Sequence, residues 1–113
     1  MKLKRVVVTG LGTINALGHT VPETWKNMVD GVSGATLIDT FDTEHFKTKF
    51  ACELKNFSIN DHIDRKEARR MDPFTQYAMV SATEAVEDAG LVNENIDKAR
   101  IGVVYGSGIG GLT

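Results

Sequence analysis

The chain has 113 residues, 42% of them hydrophobic and 25% charged, the proportions of an ordinary globular protein rather than a disordered one. That length holds one small domain or a piece of a larger one. A net charge of -2 gives no support to general nucleic-acid binding, and the single cysteine, Cys52, rules out an internal disulfide and suits a reducing compartment.

Arg5 to Thr9 is a short β-branched run closed by Gly10 and Gly12, which predicts a buried strand opening the fold. The residues before it are basic, but the apolar run ends at Val8, too short for a signal peptide or a membrane helix. The expected setting is the cytoplasm, with neither membrane nor nucleic acid as a partner. A loop, Thr13 to His19, leads to Thr20-Val-Pro-Glu23, a capping box in which the Thr20 hydroxyl accepts from the Glu23 amide and the Glu23 side chain reaches back. Pro22 falls in the first turn, where a missing N–H does no harm. The helix should run through Trp25, Met28 and Val29 to Gly31, with those three apolar residues sharing a face that packs on something apolar.

Val32 to Asn60 reads as loop with one strand, about Phe50 to Leu54. Asn60 or Asp61 is placed to cap a short helix carrying Arg65, Lys66, Glu67, Ala68, Arg69 and Arg70. Asp72 and Pro73 then start another, as N-cap and first helical residue. From Phe74 to Asp88 that helix puts Phe74, Tyr77, Ala78, Ala82, Ala85 and Val86 on or near one face, and its many small residues allow close approach of a neighbour. Gly90 ends it, and a polar stretch, Asn93 to Ala99, leads to a closing strand, Ile101 to Tyr105. The order of strand, helix, strand, two helices and strand is an α/β pattern. The last strand runs into Gly106, Gly108, Gly110 and Gly111, a cluster that implies a backbone, ligand or other chain approaching too closely for a Cβ. Nothing in the sequence supplies that neighbour, so the chain reads as the first part of something larger.

Two glycine patterns invite a dinucleotide reading. Gly10-Leu-Gly12-Thr-Ile-Asn15 follows a strand, but Asn15 replaces the third glycine, and the helix begins near Thr20, too late to present its N-terminus to a pyrophosphate. Gly106-Ser-Gly108-Ile-Gly110-Gly111 has the spacing without a helix or a downstream acidic residue to go with it. His19, His45 and His62 are scattered, without a second ligand at metal-site spacing. Cys52, with no basic neighbour, reads as a small buried hydrophobe rather than a nucleophile. Lys66, Arg69 and Arg70 share one helix face. By themselves they read first as a solvated face partly neutralised by Glu67, Asp64 and Asp72, and second as a seat for an acidic or phosphorylated partner.

Several segments, in order and nearly end to end, resemble the β-ketoacyl-acyl carrier protein synthases of the type II, elongating class. They are Arg5-Val-Val-Val-Thr-Gly-Leu-Gly12, Trp25 through Gly34, Phe41-Asp-Thr, Arg65-Lys-Glu-Ala-Arg-Arg-Met-Asp72, and Arg100-Ile-Gly with Gly-Ser-Gly-Ile-Gly-Gly-Leu112. The resemblance implies a thiolase-like α/β fold, two similar halves layered α-β-α-β-α, forming a homodimer when complete. Residues 1–113 would be part of the N-terminal half of the synthase domain. The implied reaction is the decarboxylative condensation of an acyl thioester with malonyl-acyl carrier protein. Its cysteine and two histidines are expected in segments beyond Thr113, so no residue here is assigned as catalytic. The resemblance places Ile109, with Gly108, at the acyl pocket as a chain-length gate, and makes Lys66, Arg69 and Arg70 the docking positions for acyl carrier protein, reversing the order of the two readings of that patch. It implies no metal and no nucleotide cofactor, only a substrate carried on the phosphopantetheine arm. A non-catalytic carrier-protein-binding fragment and a polyketide-type ketosynthase are the alternatives.

Overall fold

Helix α1, Val21–Val29, begins as its sequence dictates: Thr20 stands extended at the N-cap and its hydroxyl accepts from Glu23 N–H at 3.4 Å. Glu23 reaches back one residue further than a capping box requires, its carboxylate accepting from His19 N–H at 2.7 Å. At the other end Gly31 adopts φ +70°, and two hydrogen bonds close the helix, Gly31 N–H to Met28 at 3.2 Å and Val32 N–H to Asn27 at 2.9 Å. This computed structural model describes residues 3–92 and 95–110. The expectations placed on Gly111, Leu112 and Asn93 lie outside those residues.

Helix α3, Pro73–Asp88, is the longest element, with Asp72 at its N-cap and Pro73 as first helical residue as predicted. It ends like α1: Gly90 has φ +66°, Gly90 N–H bonds Glu87 O and Leu91 N–H bonds Val86 O, both at 3.0 Å. A Cβ at Gly90 meets no neighbour among the described residues, so Gly90→Ala carries the left-handed backbone cost, about 1 kcal/mol. A urea titration of the intact protein is expected to show a correspondingly small loss.

Between these helices lies a two-stranded antiparallel pair, β1 (Thr36–Leu37) and β2 (Phe50–Ala51), with Thr36 opposite Ala51 and Leu37 opposite Phe50. Ile38 N–H extends the pairing to Lys49 O at 3.0 Å. The predicted strand Phe50 to Leu54 is therefore shorter than expected, and its partner falls in a stretch that reads as loop. Cys52 is exposed, correcting its reading as a buried hydrophobe, because the pairing stops at Ala51 and the described residues leave the next one open.

The short helix α2, Arg65–Ala68, is capped neither by Asn60 nor by Asp61, which belong to a 3₁₀ turn, Ile59–Asp61. Asp64 caps it instead, accepting from Lys66 N–H at 2.8 Å, because an Asx side chain two residues before the amide it binds needs only a local turn. A second 3₁₀ turn spans Lys98–Arg100.

The predicted strands Arg5 to Thr9 and Ile101 to Tyr105 pair with nothing among the described residues, and their side chains are open to solvent, Val104 completely. A β-branched run becomes a strand only when another strand takes up its N–H and C=O groups. The apolar face of α1 is likewise uncovered, with Trp25, Met28 and Val29 all exposed, against the expectation that it packs on an apolar neighbour. Ala68 and Val80 are the buried hydrophobic residues among those described, and neither is completely enclosed. No helix of the described residues is long and apolar enough to cross a membrane.

Candidate carrier-docking surface and glycine loop

Helix α3 organises the surroundings through its small-residue face. Gly10 and Gly12 lie against it so closely that a Cβ on Gly10 would be 2.6 Å from Ala89 N, and one on Gly12 would be 2.7 Å from Ala85 N. The close approach that the small residues allow is thus made by the segment after the first β-branched run. Two carboxylates of α3 hold that segment: Asp88 accepts from Leu11 N–H at 2.9 Å, and Glu84 accepts from Thr13 N–H at 2.9 Å and from Val21 N–H, in the first turn of α1, at 2.7 Å. Amides that a phosphate would need are occupied by carboxylates, which opposes nucleotide binding at Gly10–Asn15 on charge alone. Asn15 has its own task in the turn, where its side chain bonds Leu17 N–H at 2.8 Å and the hydroxyls of Thr13 and Thr24 at 3.0 and 3.1 Å.

The basic residues stand on α2 and the turn after it. Arg65, Lys66, Arg69 and Arg70 are all exposed, and none forms an ion pair among the described residues. The helix proper ends at Ala68, but Arg69 N–H bonds Arg65 O at 3.3 Å and Arg70 N–H bonds Glu67 O at 3.0 Å, so helical spacing carries on through the patch. Arg65 and Arg69 border a shallow hollow of about 210 Å³ shared with Asn60 and Gln76. Gln76 then ties patch to scaffold, its amide donating to the carbonyls of Ala68 at 3.0 Å and Met71 at 3.1 Å. Sequence reasoning passed over Gln76, and its signal was modest: an amide side chain four residues after an N-cap, facing back across the junction.

In the glycine loop, Ile109 is 77% exposed and Ser107 Oγ donates to its carbonyl at 3.1 Å. Among the described residues, a Cβ at Gly106 or Gly108 would meet nothing within 4 Å. Gly110 differs: the ring of Phe74 occupies the space its Cβ would fill, with Cε1 at 2.6 Å and Cδ1 at 2.9 Å. Of the close approaches expected along Gly106, Gly108 and Gly110, the described residues realise one.

The histidines are less scattered than their spacing suggests. His19 meets Phe57 edge-on with centroids 5.8 Å apart, and His62 stacks on the same ring at 5.6 Å. His19 Nε2 is 2.8 Å from Lys55 O, and both imidazoles border a cleft of about 220 Å³ with Glu84 and Glu87. His45 sits apart, in a turn closed by Phe46 N–H to Thr43 O at 3.0 Å. Among the described residues no group of three or more His, Cys, Asp or Glu is arranged to hold a metal ion.

The chain belongs to the β-ketoacyl synthase family, whose N-terminal domain model matches residues 3–113. It is 57% identical over 110 residues to 3-oxoacyl-[acyl-carrier-protein] synthase 2 of Staphylococcus aureus (strain COL), an alignment covering 96% of this chain and 26% of that one. With the protein of the same name from Vibrio cholerae (serotype O1, strain ATCC 39315 / El Tor Inaba N16961) it shares 46% over 112 residues, covering 99% and 27%. The chain thus spans about a quarter of the length of the curated relatives it matches. Among solved structures it is similar to the ishigamide ketosynthase/chain length factor, with a TM-score of 0.63 and 38% identity over 74% of this chain and 21% of that one. That likeness supports an α/β, thiolase-like fold.

Proposed function

We propose that residues 1–113 form the N-terminal part of an elongating condensing enzyme of fatty-acid biosynthesis. It lengthens an acyl thioester by two carbons through decarboxylative Claisen condensation with malonyl-acyl carrier protein. The observation that carries this reading is the identity of 57% over 110 residues to a 3-oxoacyl-[acyl-carrier-protein] synthase 2. In such a reaction a thiolate takes the acyl group, and loss of CO₂ from the malonyl thioester leaves a carbanion that attacks the acyl carbonyl while donors stabilise the oxyanion. We assign none of Cys52, His19, His45 or His62 to that chemistry. Cys52 is an exposed residue just past the end of β2, and His19 is engaged with Lys55 O. The complete enzyme is read as a cytoplasmic homodimer with the layered α-β-α-β-α architecture, using substrate on a phosphopantetheine arm and no metal or nucleotide.

This chain's own contribution is to dock and to measure. Lys66, Arg69 and Arg70 face the acidic acyl carrier protein, and their exposure, with no ion pair among the described residues, leaves their charge to it. Ile109, beside Gly108, stands at the acyl pocket and limits chain length. Reversing Lys66, Arg69 and Arg70 to glutamate in the intact synthase is expected to raise KM for carrier-borne substrate roughly tenfold, as several weak exposed pairs together amount to. The wild-type KM should itself climb with salt, and the reversed variant should show the opposite trend, its KM falling as salt screens the new repulsion. An unchanged KM at low salt would remove the docking assignment. A second reading, prompted by the likeness to a chain named as a ketosynthase/chain length factor, is a polyketide-type ketosynthase, which predicts several successive extensions before release where the first reading predicts one.

A further inference from the structure

We propose that Phe74 is a positioning residue for acyl-chain length, acting as the seat on which the loop carrying Ile109 rests. The inference builds on the assignment of Ile109 to the acyl pocket. It starts from Gly110: among the described glycines of the loop, this is where a neighbour forbids a side chain, and the neighbour is the Phe74 ring, 2.6 Å from the position a Cβ would take. Ile109 is the adjoining residue, and the Ser107 hydroxyl folds the loop onto the Ile109 carbonyl at 3.1 Å. The side chain of Ile109 therefore projects from a short turn that is fixed at one end by an aromatic ring.

The seat is itself firmly placed. Phe74 follows Pro73, whose locked φ starts α3, and within the same turn Gln76 bonds Ala68 O and Met71 O on either side of Arg69 and Arg70. A single rigid junction thus carries the docking charges on one side and the loop's support on the other. Phe74 remains 37% exposed, so its ring is no keystone of the core, and that leaves positioning as its work. A loop displaced from this ring by a fraction of an ångström moves Ile109 relative to the acyl tail, and pocket depth changes by methylene-sized steps.

The experiment is a mutant cycle in the intact synthase, read as the ratio of kcat/KM for the longest to the shortest acyl substrates accepted. Gly110→Ala, whose new methyl collides with the ring, is expected to change that ratio roughly tenfold, and Phe74→Ala in the same chain to restore it to within about threefold, a non-additivity typical of residues in direct contact. Phe74→Leu takes the place of Phe74→Ala in the cycle if the alanine variant does not fold, since it keeps apolar bulk and removes the ring. Ile109→Phe runs alongside as a control. If it shortens the accepted chain while the effects of Gly110→Ala and Phe74→Ala simply add, Phe74 is not the seat and the assignment of Ile109 stands. If Ile109→Phe leaves chain length unchanged, the assignment of Ile109 falls and this inference falls with it.

Discussion

Gly12→Ala is expected to destabilise the intact protein by about 3 kcal/mol or more. The new Cβ would overlap Ser81 O and stand 2.7 Å from Ala85 N, and both are backbone atoms inside α3. A side chain in the way can rotate; a helix backbone can yield only by shifting as a whole or breaking its ladder. Shifting it would also pull Glu84 and Asp88 from Thr13 N–H and Leu11 N–H, since those bonds hold the same two segments together. Gly102→Ala supplies the comparison, because its Cβ meets nothing within 4 Å and the change should stay within about 0.5 kcal/mol. Urea midpoints of the two variants decide the matter, and equal midpoints would mean that the contact between Gly12 and α3 is not tight in solution.

What could be read from the sequence follows how local its cause is. Both helix ends at Gly31 and Gly90 were legible because a glycine after an apolar period supplies the left-handed residue a helix stop needs, and both have positive φ. The Thr20 cap was legible for the same reason, a hydroxyl three residues before the amide it binds. Asp64 was missed in favour of Asn60 and Asp61 because all three are competent caps within five residues, and only the 3₁₀ turn at Ile59–Asp61 decides among them. The two β-branched runs were legible as strand-formers but not as strands, since pairing depends on partners that sequence periodicity does not name.

The candidate site divides along the same line. The basic patch was visible as charge at helical spacing, and its exposure agrees with that. Its attachment through Gln76 was not visible, because it exists only once α2 and α3 meet at their angle, and the packing of Gly110 on Phe74 was not, because it joins segments far apart in sequence. Only the resemblance points to Ile109 as a site residue, and the packing observed beside it is that of Gly110 on the Phe74 ring.

Glu84 is where the consequences of α3 converge, and its replacement is the second large effect expected. One oxygen accepts from Val21 N–H, one of the α1 amides that has no partner within its own helix, and the other accepts from Thr13 N–H. The carboxylate thus caps α1 from another element and anchors the approach to it, while its negative charge faces the positive end of the α1 dipole. Hydrogen bonds to a charged acceptor contribute about 1.5–3 kcal/mol each, so Glu84→Ala, which strands two part-buried amides, should cost about 3 kcal/mol after water partly replaces the oxygens. Glu84→Gln should cost about 2 kcal/mol, because its NH₂ must oppose one of the two N–H groups. Asp88→Asn, on an exposed bond of 2.9 Å that the remaining amide oxygen still accepts, should cost no more than about 1 kcal/mol. Amide exchange gives the site-resolved check: in Glu84→Gln, protection should fall at Thr13 and Val21 ahead of the body of α3. Equal losses in Glu84→Gln and Asp88→Asn, with protection at those two amides intact, would show that α1 is capped by its own Thr20 and Glu23 and that the carboxylate on α3 is dispensable.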